Sequence, residues 1–328
     1  MKKALIFQSS RALGDRLFIS WVPKQLKRKL GYDKVYLASW QDNLCITENN
    51  PFINSIIPLE DYAKVIVKDL LEEWAKEYDV YDFRYRWEKK YLMFNHEVNP
   101  SLEKRRENAK DKSAYNVYQD MGLSGDKPEV YLTDEEKKRN HTINAGRRKR
   151  ILWQLAGSGR NKRIPYTMWY MEEIRKRRPE IEHWIAEKTF FDISALPEYV
   201  HTFKGTSREV LTRIPTFDLV VGPESFFINA AKAFDLHHIT FYSHTLPENY
   251  DIQNGYSHAI LPKCDCSPCY LIMKDFRTLY DLDERARARD TENSCMVWDR
   301  QDRFRAAGFK CCISIDHNEV IQTILKYI

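Results

Sequence analysis

The sequence predicts an α/β fold in which two domains of alternating strands and helices face each other across a cleft. Three observations carry this expectation. Near the start, Leu13-Gly14-Asp15-Arg16 follows an apolar run and opens an amphipathic segment. Far downstream, Val220-Val221-Gly222-Pro223-Glu224-Ser225 follows another apolar run and opens a second one. Each reads as a buried strand, a glycine turn and a helix N-terminus carrying an acid, and in α/β folds ligands bind at that junction, outside the carboxyl ends of the strands. Third, 328 residues with 43% hydrophobic content suffice for two ordinary domains and rule out wholesale disorder.

Taken in order, Lys3 to Phe7 reads as the first strand. Leu17, Trp21, Leu26 and Leu30 recur at helical spacing, which predicts a helix over 17–30 closed by Gly31, with Pro23 marking a kink or an early turn. Lys34 to Ala38 and Ile53 to Leu59 are expected strands, separated by the Asn50-Pro51 turn. Val65 to Lys76 is expected as a helix and Val80 to Tyr85 as a strand. From Trp87 to Asp120 the pattern turns irregular, basic and aromatic. Pro128 to Leu132 reads as an extended connection. The charged stretch Asp134 to Arg150, with Gly146 inside it, reads as a solvated run at the domain boundary, which gives domains of 1–148 and 149–328. The second half restarts the rhythm. Strands are expected at Arg150 to Leu155, Trp184 to Ala186, Leu219 to Val221 and His238 to Tyr242. Helices are expected at Met168 to Arg178, around Val210 to Ile214, at Phe227 to Phe234 and at Asn318 to Tyr327.

Composition narrows the function classes. A charged fraction of 30% gives a very polar surface, and the mean hydropathy is -0.60. No apolar run approaches the roughly 20 residues of a spanning helix, so no stable membrane insertion is expected. Met1 to Phe7 begins like a signal peptide, but Gln8-Ser9-Ser10-Arg11 interrupts it too early for an h-region, so the expected location is cytoplasmic. The net charge of +5 suits an anionic ligand, a phosphorylated acceptor or nucleic acid equally. Seven cysteines, clustered late, do not make a disulfide framework in a reducing compartment.

The second half also carries Leu155-Ala156-Gly157-Ser158-Gly159-Arg160-Asn161-Lys162-Arg163-Ile164-Pro165. A strand feeds a small glycine-rich loop and then a Lys-Arg pair. Backbone N–H groups there can approach an anion and the cations can neutralise it. The Gly-Lys-Ser/Thr order of a P-loop is absent, and an ordinary surface turn is the alternative.

Taken in order, these pieces resemble glycosyltransferase family 9, the heptosyltransferases of lipopolysaccharide synthesis. Leu13-Gly14-Asp15 with Pro23 is similar to that family's first loop and helix, and Asn49 to Ile57 to the segment that follows. Gly157-Ser158 with Lys162-Arg163-Ile164-Pro165 resembles its phosphate-side loop, and Gly205 to Glu209 one of its turns. Val221 to Ala231 stands in the place of its acidic donor motif, and Cys266 to Cys269 and Cys311 to Val320 match its C-terminal pattern. The resemblance spans nearly the whole chain. It implies a GT-B fold of two Rossmann-like domains, the donor held mainly by the second. It also implies transfer of a sugar from a nucleotide diphosphate with inversion, and with no catalytic metal or other cofactor.

Residue by residue, the resemblance makes Asp15 the base that takes the acceptor hydroxyl's proton, where a helix N-cap is the alternative role. It makes Lys162 the cation facing the departing diphosphate, with Arg163 and Arg160 beside it. Gly14, Gly157, Ser158, Gly205, Thr206, Glu224, Ser225, Phe226 and Asn229 fall on the donor side, and the helix after Gly222 would aim N–H groups at phosphate. The chain departs from the family at three of these positions. Glu224 stands where relatives have Asp, Phe226 where they have Gly, and Asn229 where they have His. These changes imply a reshaped sugar pocket, so a pentose or hexose on UDP or ADP stands beside a heptose as the donor. For Glu224, too, an N-cap is the alternative.

Two further groups complete the reading. Cys264, Cys266, Cys269 and Cys295 have the chemistry for a structural zinc, against buried thiols as the alternative. Asp281-Leu282-Asp283 has the spacing of a metal-binding acidic pair, but local helix capping accounts for it. On the acceptor side, Arg84, Arg86, Trp87 and Lys89 interleave cations with aromatics. They suit either a phosphorylated saccharide or, as an aromatic-basic groove, DNA carrying a hydroxymethylated pyrimidine. A non-catalytic protein that binds nucleotide sugar or nucleic acid is the reading of another class.

Overall fold

A computed structural model gives the fold. It describes residues 1–8, 12–62, 65–83, 106–107, 116–157, 162–164, 166–186, 196–250, 255–265, 267–268, 296–298 and 307–328. The chain forms two parallel sheets. The first contains β1 (Lys3–Phe7), β2 (Lys34–Ser39), β3 (Ser55–Pro58) and β4 (Asp79–Asp82) in the order β3-β2-β1-β4. The second contains β5 (Arg150–Trp153), β6 (Glu182–Ala186), β7 (Val200–Phe203), β8 (Leu219–Pro223), β9 (His237–Phe241) and β10 (Ser257–Ile260) in the order β10-β9-β8-β5-β6-β7. A short antiparallel pair, β11 (Met296–Trp298) and β12 (Ala307–Phe309), lies apart from both sheets.

The central strands are apolar without alternation because both faces of each sheet are covered. Ala4 and Ile6 enter one cluster with Trp21, Leu26 and Val35, while Leu5 and Phe7 enter another with Leu70 and Trp74. In the second sheet Ile151, Trp153 and Val221 face a cluster completed by Ile174 and Ile324. Leu152 and Val220 face the opposite one. Covering these faces are α1 (Leu13–Phe18), α2 (Val22–Arg28), α3 (Leu44–Thr47) and α4 (Val67–Trp74) in the first half. α5 (Asp134–Asn144), at the end of the first half, packs on Thr212. In the second half the covering helices are α6 (Thr167–Arg177), α7 (Ser207–Arg213), α8 (Phe226–Ala233), α9 (Pro247–Tyr250), α10 (Lys310–Ile313) and α11 (His317–Tyr327).

Several expectations are corrected. The helix expected over 17–30 is two helices. Ser20 and Val22 donate to carbonyls three residues back, and Pro23, which has no N–H, sits in the first turn of the second helix. The charged stretch after Thr133 is largely exposed, as expected of a solvated run, but forms a capped helix. Thr133 Oγ1 accepts from the N–H of Glu136 while the Glu136 carboxylate accepts from the N–H of Thr133, and Asn140 is buried with its amide on the Thr212 carbonyl. Gly222 lies inside β8 rather than in a turn, and Gly14 lies inside α1. β7 and β10 were not anticipated. They are four-residue edge strands with little apolar signal.

The two halves meet through side chains of both kinds. Leu17, Cys45 and Ile46 of the first half share an apolar cluster with Leu211, Val220 and Phe227 of the second. Arg208 of α7 forms a fork on Glu136 at 2.8 and 2.7 Å and also donates to the carbonyls of Cys45 and Tyr131. A planar guanidinium suits this set because its donors point in fixed directions.

Buried histidines give the fold a pH dependence. Burial pushes His183 down to about 4 and His244 down to about 3. The unfolded chain takes these protons near 6.5. Stability from these groups is therefore complete above about pH 6.5 and is lost as the pH falls through the window down to the folded values, because the unfolded state then binds more protons. The expected slope is about 1.4 kcal/mol per pH unit for each histidine. Urea midpoints taken between pH 7 and pH 5 check it, and replacing both histidines by Gln flattens the profile.

Candidate functional site

The carboxyl ends of β5 and β8 are adjacent in the second sheet, and the candidate site is built on them. After β5 the chain turns back on itself. Ala156 pairs with Arg163, and the N–H of Gly157 donates to the Lys162 carbonyl at 2.7 Å. This turn returns Lys162 to the strand ends. Gly157 is needed there, since a β-carbon at this position would meet Cβ of Lys162 at 3.0 Å and Cβ of Ser225 at 3.3 Å. Lys162 is buried, and its ammonium donates to Glu224 Oε2 at 2.6 Å and to the Glu224 carbonyl at 3.1 Å. An ammonium has three donors. The third has no partner among the described residues.

Glu224 directly follows β8 and is also buried. Burial pushes its carboxyl up, but Lys162, with Lys232 and His244, outweighs that and holds it below the usual carboxylate range. Lys232 is buried in α8 and donates to the Tyr250 carbonyl. Two buried lysines thus stand against one carboxylate, and the surroundings keep positive charge. His244 is neutral at ordinary pH and 2% exposed, with Nδ1 3.3 Å from Ser243 Oγ. Neither Glu224 nor Asp15 caps a helix. Ser225 and Ala12 hold those positions, and neither makes a side-chain cap bond.

The first half closes on this site. A β-carbon on Gly14 would lie 3.4 Å from the backbone nitrogen of Phe226. That is ordinary contact distance, so α1 packs closely against the start of α8. Asn229 Nδ2 reaches the Gly14 carbonyl at 3.5 Å, one turn along α8 from Ser225. Asp15 is exposed in the first turn of α1, next to that contact. Asp15 and Lys162 are thus joined by one chain of contacts through Gly14, Phe226, Ser225 and Glu224. At the start of α8 the N–H of Phe227 donates to Gln154 Oε1 at 3.1 Å. Gln154 is held there by Gly222, where a β-carbon would come within 2.9 Å of its Cβ. Gly222→Ala is expected to overpack this junction and cost about 1–3 kcal/mol, read as a lowered thermal midpoint.

The other expected site residues fall in three groups. Gly205 and Thr206 belong to a helix cap: Thr206 Oγ1 accepts from the N–H of Glu209, and the Glu209 carboxylate accepts in return from the N–H of Thr206. Arg163 is exposed beside Lys162, and a pocket next to it is walled by Phe241, Tyr242, Cys312 and Ile315. Ser158, Arg160, Arg84, Arg86, Trp87 and Lys89 lie outside the described residues, as do Cys266, Cys269, Cys295 and the Asp281–Asp283 pair. Cys264 is described and buried, and no group of three or more His, Cys, Asp and Glu among the described residues could hold a metal ion. No helix among the described residues is long and apolar enough to cross a membrane.

Sequence reasoning missed Gln154, Lys232 and His244. Lys232 left a signal, as the one charge in the apolar helix Phe226–Ala233. Gln154 and His244 left none, because their partners at the site, the Phe227 N–H and the Lys162–Glu224 pair, lie far off in sequence.

No family model matches the sequence, and no curated protein matches it. Solved structures do match. A glycosyl transferase family 9 protein from Veillonella parvula is 12% identical, with a TM-score of 0.59 over 79% of this chain and 86% of that one. The ADP-heptose lipopolysaccharide heptosyltransferase II of E. coli is 16% identical, with a TM-score of 0.55 over 87% and 98%. The dodecameric iron-containing heptosyltransferase TibC, solved in complex with ADP-D-beta-D-heptose, is 11% identical, with a TM-score of 0.60 over 99% and 76%. At these identities the likeness is one of fold. The chain has the two-domain α/β architecture of these glycosyltransferases, the GT-B fold expected from the sequence.

Proposed function

We propose that the chain is an inverting glycosyltransferase that moves a sugar from a nucleoside diphosphate to an acceptor hydroxyl. The observation that carries this reading is that Gly14, next to Asp15 in the first half, packs on Phe226 and Asn229 of the second, close in the chain to the buried Glu224 that pairs with Lys162. Solved structures of the same fold are heptosyltransferases, one of them holding ADP-heptose.

In this reading the diphosphate lies at the carboxyl ends of β5 and β8. Lys162 offers its third N–H to the leaving phosphate, and Lys232 and Arg163 add positive charge nearby. This is the charge compensation that a divalent cation supplies in other phosphate sites, so the transfer needs no catalytic metal. Glu224 fixes the Lys162 ammonium through two of its donors, so the third is held in one direction before the donor arrives.

Asp15 removes the acceptor proton as its oxygen attacks the anomeric carbon. The bond to the diphosphate breaks on the opposite face, and the electron pair leaves with the phosphate. The acceptor is a phosphorylated, lipopolysaccharide-type saccharide, and the chain works in the cytoplasm on the domain plan 1–148 and 149–328. The test is incubation with UDP- and ADP-sugars and a phosphorylated saccharide, followed by nucleoside diphosphate release and the anomeric configuration of the product. Release with an inverted product supports the reading. Tight nucleotide binding without turnover on any donor points to a binding protein instead.

A further inference from the structure

Ser243 and His244 follow the carboxyl end of β9 and are 7% and 2% exposed. β9 lies beside β8, so the pair stands at the end of the second sheet where this fold class receives ligands. Ser243 lines a small pocket together with Lys162 and Arg163. The pocket is partly open to solvent. Its volume of about 10 Å³ takes one water-sized group, such as a single oxygen of a larger ligand. Lys162 and Arg163 bring positive charge to it. Two donors of the Lys162 ammonium are used on Glu224, which leaves the third. These surroundings suit an anionic oxygen.

His244 decides what Ser243 can offer. Burial first, and Lys162 after it, push His244 down to about 3, so the ring is neutral at ordinary pH. One ring nitrogen then carries a proton and the other a lone pair. Nε2 is buried and meets no partner among the described residues, whereas Nδ1 lies 3.3 Å from Ser243 Oγ. A buried N–H without an acceptor is rarer in folded proteins than a buried acceptor without a donor. The proton therefore belongs on Nδ1, which donates it to Ser243 Oγ. The serine oxygen is then satisfied as an acceptor, and its own O–H is left to donate into the pocket.

We infer that Ser243, set by His244, donates a hydrogen bond to one oxygen of the donor's diphosphate, beside the third N–H of Lys162. Ser243 is then a binding residue and His244 a positioning residue. The inference rests on the nucleotide-sugar reading of the site.

The experiment is titration calorimetry of the full chain with ADP and with UDP. Wild type is compared with Ser243→Ala, His244→Leu, His244→Asn and the Ser243→Ala, His244→Leu double variant. Ser243→Ala is expected to bind the nucleotide about tenfold more weakly, the scale of one hydrogen bond to a charged group. His244→Leu is expected to fall between wild type and Ser243→Ala. His244→Asn keeps an amide N–H near the place of Nδ1 and is expected to hold most of the affinity. In the Ser243→Ala background His244→Leu is expected to cost nothing further, because its effect passes through the hydroxyl. A histidine with a merely structural role would cost the same in both backgrounds, and that result overturns the positioning role. Equal affinity of wild type and Ser243→Ala overturns the inference and leaves the donor reading standing. Failure of wild type to bind either nucleotide removes the donor reading, and the inference with it.

Discussion

Lys162→Met lowers stability by about 3–5 kcal/mol, the scale of cost when one partner of a buried ion pair is removed. The side chains of Lys162 and Glu224 are 11% and 10% exposed, so the carboxylate left behind gains little from solvent. The same loss in Glu224→Gln strands the ammonium instead. The Lys162→Met, Glu224→Met double variant recovers most of the loss, because no uncompensated charge remains. Urea midpoints at pH 7 check all three. The pH dependence of the single variant is a second check. Without Lys162, burial dominates at Glu224 and pushes its carboxyl up. Protonation then comes more easily, and the cost shrinks as the medium is acidified. A loss below about 1 kcal/mol, the scale of an exposed pair, would show the pair to be solvated. The double variant separates stability from function, since it is expected to fold while lacking the cation proposed to face the diphosphate.

Asp15→Asn is expected to reduce sugar transfer by about 10²–10⁴-fold, the usual contribution of a positioned general base. The substitution is nearly isosteric, Asp15 is exposed, and α1 draws no side-chain cap from it. The thermal midpoint and the donor dissociation constant should therefore stay close to wild type. The effect belongs in turnover rather than in donor affinity, because the base acts on the acceptor. Loss of activity with an unchanged midpoint supports the assignment. A variant that keeps wild-type turnover removes Asp15 from the chemistry.

Much of the fold was legible in the sequence because its central strands are buried on both faces. Apolar runs such as Ala4 to Phe7 and Leu219 to Val221 announce themselves without any need for periodicity. Edge strands do not: β7 reads Val-His-Thr-Phe and β10 Ser-His-Ala-Ile, and each pairs on one side only, with the strand just before it in the chain. The charged helix after Thr133 was hidden for the opposite reason. Its stability comes from a capping box and from contacts to Thr212 and Arg208, none of which an apolar pattern reports.

The candidate site was legible in part. The two glycine-acid junctions proved to be the places where the halves touch. Their glycines, however, lie inside α1 and β8 rather than in turns, and only Gly222, against Gln154, sits where a β-carbon would not fit. That Glu224 would pair with Lys162 was not readable, because the two residues meet only when the loop after β5 folds back beside the end of β8. The buried charge of Arg16 was likewise invisible. In the sequence it is one more basic residue on an amphipathic segment, and only its enclosure over the carbonyls of Gln8 and Ala38 sets it apart.

The most direct measurement is a crystal structure of the chain with a nucleoside diphosphate sugar bound. The phosphate next to the sugar is expected within hydrogen-bond reach of Lys162 Nζ, with the anomeric carbon turned towards Asp15 across the Gly14–Phe226 contact. A diphosphate bound on another surface, or one walled off from Asp15 by protein, would contradict the account.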